Sequence, residues 1–586
     1  MDAPTVFLVF ILAVFTLRAQ TCKPLPNPPS ESDIESFLRV DYDYVIIGGG
    51  TAGLALAARL SEDPEVHVAV LEAGYFHLGD PIVDVPEYVD EAAGNSSYDW
   101  GFSTTPQAYA GGRNLSLPRG KMLGGSSGIN GMAWNRASRA EYDAWRTFAP
   151  ENDWTWDGLL PFFKKSENLS LSPSDPYPGI TPMEKAQAVK ILPKVDGFSG
   201  PIVASYNSHY FEDAPLLVET LNAIGIPTNP DSQSGNSTGI FNTLASLDRR
   251  TGTRSYAAMG YYCDQPVRAN LHILVDAQVT KIHFVEGEEL VIATAVQFAV
   301  GPTSYVVNAS REVILSAGTI QTPQILELSD ILRNNATFAA EQKELYFANR
   351  TGLLAATDNT VTLIPLQSVV DDEEFASLLA LFDHEAQKPG LSQLQKLQYP
   401  IQRSWLETGD GPYVELIQWS EGFYDPQPNE SYIVILGGNM HPTSRGSVHI
   451  DSSDPFVHPV INPQFLSHEF DVAVLLNVLK FVQRIGNLEP FATMIAAQTD
   501  PLTNLTNGDL ESYVRNSAAG GDHLIGTAAM APRDAGGVVD SSLVVYGTAN
   551  LRVVDASVIP LLIACHTQST TYAIAEKAAE FIKHSK

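Results

Sequence analysis

Residues 44–60 read Tyr44-Val45-Ile46-Ile47-Gly48-Gly49-Gly50-Thr51-Ala52-Gly53-Leu54-Ala55-Leu56-Ala57-Ala58-Arg59-Leu60. A short apolar run meets a cluster of glycines and continues into a helical pattern, and a second apolar run follows at 66–71. Strand, glycine turn, helix and strand in that order form the βαβ unit of a parallel sheet. Gly48, Gly50 and Gly53 stand at G-x-G-x-x-G spacing. The first allows the tight turn, the second lets backbone approach a pyrophosphate, and the third lets helix and strand pack closely. With Thr51 and Ala52 opening the helix, its unpaired N–H groups and partial positive charge face the phosphates. Glu72 closes the second strand where an acidic side chain bonds an adenosine ribose diol, and its charge disfavours the 2′-phosphate of NADP. NAD and FAD both fit this motif.

Working outward, residues 1–19 read as an export signal: Phe7 to Leu17 is apolar and small residues follow, although the first residues carry Asp2 and no Lys or Arg. The run is shorter than the roughly 20 residues a bilayer span needs, and no later segment reads as a membrane anchor. Glycosylation sequons at Asn95, Asn114, Asn168, Asn236, Asn308, Asn335, Asn349, Asn429 and Asn504 also point to the secretory pathway. The expectation is a secreted glycoprotein. A freely diffusing nicotinamide is scarce outside the cell, so a tightly held flavin, FAD, is the better fit. The cysteines Cys22, Cys263 and Cys565 are too few for a disulfide framework; if the first two pair, Cys565 stays free.

The 586 residues suggest more than one domain, and 44% hydrophobic with 18% charged residues marks a packed globular chain. A net charge of -31 repels nucleic acid and anionic lipid. No metal ligands are read from the sequence.

The next segment carries a family signature. Gly120-Lys121-Met122-Leu123-Gly124-Gly125-Ser126-Ser127-Gly128-Ile129-Asn130, with Trp134, Ala137 and Asp143 after it, resembles the first signature of the glucose–methanol–choline (GMC) oxidoreductases. The C-terminal part is similar too: His523-Leu524-Ile525-Gly526-Thr527, then Leu551-Arg552-Val553-Val554-Asp555-Ala556, then His566-Thr567-Gln568. The His-Thr-Gln form resembles the aryl-alcohol oxidase and pyranose dehydrogenase branches. This resemblance covers residues 41–583 and implies an FAD enzyme oxidising an alcohol, a small molecule, with oxygen or a quinone as electron acceptor. It implies that Ser126, Asn130, Gly131 and Ala133 line the flavin and that Val279 reaches the adenine through its backbone. Asp555, Ala556 and Gln568 would lie against the ring system. His523 would take the hydroxyl proton while His566 assists by holding the oxygen. An imidazole suits that task, because a neutral base near the working pH accelerates proton removal by roughly 10²–10⁴-fold.

The expected fold class is α/β (α+β overall): a Rossmann-like FAD-binding domain and a second, sheet-containing substrate domain. The expected boundaries are 41–330 for the N-terminal part of the FAD domain with substrate-domain insertions, 331–515 mainly substrate domain, and 516–586 for the C-terminal part of the FAD domain. Three further residues read blandly: Trp100 as core, Asp522 as a solvated loop carboxylate, and Cys565 as a packed thiol.

The pattern breaks once. Ser316 to Ser329 begins the second GMC signature, but Ser329-Asp330-Ile331-Leu332 replaces its ending and a helical Phe338 to Ala348 follows directly. A few tens of residues read as missing. A mis-spliced gene model is the favoured origin; a real shortened isoform and a divergent enzyme are the others. Two alternative functions stand beside alcohol oxidation. One is a cyclase or dehydrogenase of a fungal secondary-metabolite pathway, suggested by Met132-Ala133-Trp134-Asn135-Arg136-Ala137-Ser138. The other is an inactive shortened form of the fold.

Overall fold

Strand β1 (Tyr42–Ile47) is apolar on both faces because both are covered: Val45 and Ile46 have no accessible surface, as an interior parallel strand requires. The computed structural model describes residues 22–171, 194–207, 213–287, 289–329, 360–419, 432–502 and 505–584. The proposed export signal, the helical reading of 338–348 and the break after Ser329 lie outside the described residues, as do sequons Asn335, Asn349, Asn429 and Asn504.

After β1 come helix α1 (Thr51–Leu60) and strand β2 (Val68–Leu71), so the βαβ unit forms as read. Strand β3 (Gly239–Asn242) joins a different sheet. Then follow β4 (Leu271–Leu274), β5 (Gln278–Glu286), β6 (Val291–Val300), β7 (Thr303–Leu315) and helix α2 (Gly318–Leu328). Strands β8 (Thr360–Ile364), β9 (Val414–Trp419) and β10 (Val434–Asn439), helix α3 (Glu469–Ile485), strand β11 (Leu551–Val553) and helix α4 (Gln568–His584) complete the framework.

The main sheet runs β4-β2-β1-β7 in parallel, and β11 adds in parallel to the far edge of β7. Ile47 lies opposite Leu71 on one side and Leu315 on the other, and Leu315 opposite Val553. The C-terminal ends of four strands therefore finish in one line, where open α/β sheets bind their ligands. The last part of β7, ending in the apolar Val313–Leu315, pairs parallel with β1 and β11, while its first half pairs antiparallel with β6, which pairs with β5. Along that half, residues alternate between buried and exposed, a weaker pattern than the continuous run.

Helix α1 packs against α4 through small side chains, Ala55 and Ala58 on one and Ala575 and Ala579 on the other, all buried. A buried ion pair ties the two: Arg59 Nε donates to Glu576 at 2.8 Å, and the Tyr261 hydroxyl donates to the same carboxylate at 2.8 Å. Losing one partner of such a pair costs about 3–5 kcal/mol, because the other charge stays buried.

The second sheet, β10-β9-β8-β3, is antiparallel throughout. One face packs under α3, where Gly437 leaves room for Val478. The other face presents Phe241, Val361, Leu363 and Ile417, which cluster with Met440 and with Ala564 of the loop leading into α4. That loop carries His566.

Residues 112–130 carry two short regular pieces. Ser116–Leu117 pairs with Phe102–Ser103, and Gly125–Gly128 forms one 3₁₀ turn. Cys22 and Cys263 form a disulfide and Cys565 is a free, buried thiol. Burial pushes that thiol up to about 12, so it is inert packing. Among the described residues, no helix is long and apolar enough to cross a membrane.

Candidate active site

The aligned strand ends open on a cleft enclosing about 1700 Å³, part of it open to solvent. Its floor is the glycine turn. Gly48 has φ +100°, and a Cβ there would stand 2.4 Å from the Ser316 carbonyl oxygen. A Cβ on Gly53 would stand 2.0 Å from the Gly48 carbonyl oxygen. Gly53 thus sets helix against strand and does not line the cleft. Gly50 caps α1 with no side-chain hydrogen bond, so the first N–H groups of the helix stay available to the cleft.

Thirteen of the fourteen residues read as cofactor-binding line this cleft: Gly48, Gly50, Thr51, Ala52, Glu72, Ser126, Asn130, Gly131, Ala133, Val279, Asp555, Ala556 and Gln568. His523 and His566 line it as well. Glu72 is buried, and its two oxygens accept from the Gly49 and Gly74 amides at 2.8 Å each. Burial outweighs these bonds and pushes its carboxyl up to about 7. Asp555 is occupied internally: Ser557 N–H at 2.8 Å, Thr322 hydroxyl at 2.7 Å and Gly318 N–H at 2.9 Å all donate to it. It pins the turn between β7 and α2, and burial raises its pKa. Asn130 donates to Gln568, whose amide donates to Ser246 at 3.2 Å, while buried Arg254 donates to Asn130 Oδ1 at 2.9 Å.

The chain offers what FAD requires. An uncapped helix N-terminus takes the pyrophosphate, and glycines stand where side chains would block it: a Cβ on Gly125 would come within 2.7 Å of Gly50 Cα. A buried carboxylate closes the adenosine end, and Asn130 and Gln568 border a wide chamber beyond. The residues fit the cofactor.

At the chamber's other wall, the rings of His523 and His566 lie 4.9 Å apart at 82°. His523 keeps some accessible surface, toward the cleft, but sits deep in the protein. Burial, then His566, then Arg119 depress its pKa well below the ordinary value, and burial lowers His566 to about 4. Both imidazoles are therefore neutral. The N-terminus of α4, two residues beyond His566, also opposes a positive charge there. Asn135 holds His566: its Oδ1 accepts from the His566 N–H at 3.0 Å and lies 3.3 Å from Nδ1. An amide oxygen only accepts, so Nδ1 carries the hydrogen and Nε2 keeps a lone pair.

Two bland expectations are corrected. Trp100 is half-buried in the cleft wall, stacked on Phe102 at 5.8 Å with the Lys121 ammonium 4.8 Å from its ring. Asp522 is not a solvated carboxylate. Arg119 donates to its carbonyl at 2.5 Å and to Oδ1 at 3.2 Å, which holds the residue at φ +60° beside His523. Burial raises Asp522 to about 6. Asn135 and Arg119 escaped the sequence reading, although Asn135 lies within the quoted stretch 132–138. Residues 316–321, quoted only as a broken signature, also line the cleft.

Comparison with known proteins agrees with this geometry. The GMC oxidoreductase family models match residues 42–340 and 442–575. A dehydrogenase of Armillaria gallica is 36% identical over 100% of this chain and 99% of its own length. That match runs over 641 residues, several tens more than the 586 of this chain, so the relative carries residues with no counterpart here. Pyranose dehydrogenase 3 of Leucoagaricus meleagris is 32% identical over 93% of each chain. Among solved structures, a fungal aryl-alcohol oxidase and an FAD-dependent oxidoreductase from Chaetomium thermophilum each superpose with a TM-score of 0.78 at 28% identity, covering 93% of this chain and 99% of theirs. The chain belongs to the GMC oxidoreductases and is an FAD-dependent oxidoreductase of that family.

Proposed function

We propose that this protein oxidises a primary alcohol, an aromatic one as the first choice, with His523 and His566 as the groups that handle the hydroxyl. The observation that carries this reading is the pair of neutral imidazoles, edge to face, on one wall of the cofactor cleft. Bound FAD supplies the two-electron acceptor for the carbinol hydrogen and its electron pair. The chain's own residues manage the proton. His523, whose ring has no hydrogen-bond partner among the described residues, receives it from the hydroxyl. His566, held by Asn135, walls the other side of the hydroxyl and presents Nε2 as an alternative acceptor for the same single hydrogen. This differs from holding an oxygen lone pair, the role implied by the resemblance. Trp100 and Phe102 offer flat apolar walls that suit an aromatic substrate. The test is steady-state turnover of benzylic and aliphatic alcohols, with oxygen and with a dye acceptor, by wild type, His523→Ala and His566→Ala. Undiminished turnover in His523→Ala would sink the assignment.

Secretion is part of the same proposal. The apolar N-terminal run, the sequons and the Cys22–Cys263 disulfide support it, since disulfides persist in oxidising compartments. Asn114, Asn236 and Asn308 are exposed, Asn95 is half-buried, and Asn168 sits half-buried in a strand. The check is expression in a secreting host. Protein in the medium that loses mass on deglycosylation supports the proposal, and protein retained unglycosylated in the cell argues against it.

A further inference from the structure

Behind His523 lies a second, smaller chamber, partly open to solvent, and His523 is part of the wall of both spaces. Most of its lining is apolar, with Met440, Phe465, Leu466, Leu475 and Ile563. Glu415 of β9 stands among its few polar residues, with Asn439, Ser444, Asp471 and His523. It lies opposite Leu363 on one side and Gly438 on the other, so all three share a sheet face. Two residues on, Ile417 of the same face belongs to the apolar cluster facing Ala564.

Glu415 is 5% exposed, and its Oε1 has no hydrogen-bond partner among the described residues. Burial alone lifts the carboxyl to about 7. Asp471, also in the chamber wall, shows the contrast. Its carboxylate accepts from the Thr443 and Ser444 amides at 2.7 Å each and from the Thr443 hydroxyl at 3.2 Å, so it is structural. A buried acceptor left without a donor is costly, and a ligand that supplies the donor recovers that cost.

We propose that Glu415 and its chamber form the far end of the substrate site and select alcohols bearing a hydrogen-bond donor, a hydroxyl or a protonated amine, remote from the carbinol. The carbinol then lies at the histidine pair and the donor reaches through the chamber to the carboxyl. This rests on the alcohol-oxidation reading for its chemistry but not for its binding.

The test uses the FAD-loaded protein with 4-hydroxybenzyl alcohol, 4-(aminomethyl)benzyl alcohol and the apolar comparator 4-methylbenzyl alcohol. Calorimetric affinity and kcat/KM are both measured for wild type, Glu415→Leu and Glu415→Gln. Wild type is expected to prefer at least one donor-bearing alcohol by about 10- to 100-fold, the range of a hydrogen bond to a charged group. Glu415→Leu is expected to abolish that preference. Glu415→Gln separates the sources: it keeps part of a preference for the hydroxyl and loses one for the ammonium. It also serves if the leucine variant fails to fold. Ratios unmoved by either substitution, or no donor-dependent binding in wild type, overturn the proposal. Donor-dependent binding without turnover would uphold the Glu415 site and defeat the oxidation reading. Turnover with an unmoved ratio would do the reverse.

Discussion

The imidazoles of His523 and His566 meet edge to face at 4.9 Å, and only the latter is tied down, by Asn135. Burial keeps both rings neutral, with His566 and Arg119 adding to it at His523, so the base does not wait for alkaline pH. A base must be unprotonated, and lowering its pKa moves the acid limb of activity downward. The kcat/KM profile is therefore expected to hold below pH 6.5, the unperturbed histidine value. His523→Ala should lower kcat by about 10²–10⁴-fold with flavin absorbance retained. An acid limb at or above 6.5 in initial-rate measurements would contradict the neutral pair.

The same depression has a stability consequence of definite sign. An unfolded histidine binds a proton below about pH 6.5, whereas folded His566 does so only near 4. Across that window the unfolded state binds more protons, so stability falls as pH falls. The contribution reaches about 3 kcal/mol at its lower end, from roughly 1.4 kcal/mol per pKa unit. His566→Gln should flatten the acid side of a Tm-versus-pH curve between pH 4 and 6.5. Parallel curves for variant and wild type would refute this.

Two glycines of one motif should fail differently. Gly53→Ala drives a Cβ to 2.0 Å from the Gly48 carbonyl and should destabilise the fold itself. Gly50→Ala meets only Gly125 Cα at 3.7 Å, at an ordinary φ of -85°, so the chain should fold while the new methyl crowds the pyrophosphate. Circular dichroism should stay near native for Gly50→Ala with flavin occupancy reduced. Full flavin occupancy in Gly53→Ala would deny the packing role.

Asn135 is expected to act through His566. Asn135→Leu removes the oxygen that fixes Nδ1–H and frees the ring to change tautomer. The expected signature is a kcat about 10- to 100-fold lower, a shifted pH profile and little change in flavin binding. Asn135→Asp keeps an acceptor and should restore part of the rate. Equal loss of kcat and flavin would mark a purely structural residue.

Glu415 gives the opposite pH sign to His566. Its folded pKa, about 7, exceeds the unfolded value of 4.5, so the pH-dependent cost of its burial is absent while both states are protonated and grows as pH rises through that window. By about pH 8 the cost approaches about 3 kcal/mol. The Tm gain of Glu415→Gln over wild type should therefore grow from pH 4.5 to 8. A constant difference would mean that the carboxyl is not desolvated.

The βαβ core and the cofactor positions were legible because they are local: β1, α1 and Glu72 lie within 31 consecutive positions, 42–72, and each glycine answers a steric demand. Gly53 shows where spacing misleads, since it belongs to the motif yet lines nothing. The second sheet was hidden because β3 pairs with β8 across more than a hundred residues, and pairing at that distance leaves little local trace. Asn135 and Arg119 were hidden for a related reason: their partners, His566 and Asp522, lie some 400 residues away. Asp522 read as solvated because a sequence shows a charge but not the arginine that folds over it. Glu415, one acidic residue in an apolar run, gave no sign that its face is a cavity wall.

The most direct measurement is anaerobic addition of a series of primary alcohols to the FAD-loaded protein, followed by visible absorbance. Wild type is expected to lose its oxidised flavin spectrum with at least one alcohol, and His523→Ala to keep it under the same conditions. A wild-type spectrum that stays oxidised through the whole series would contradict alcohol oxidation by this histidine pair.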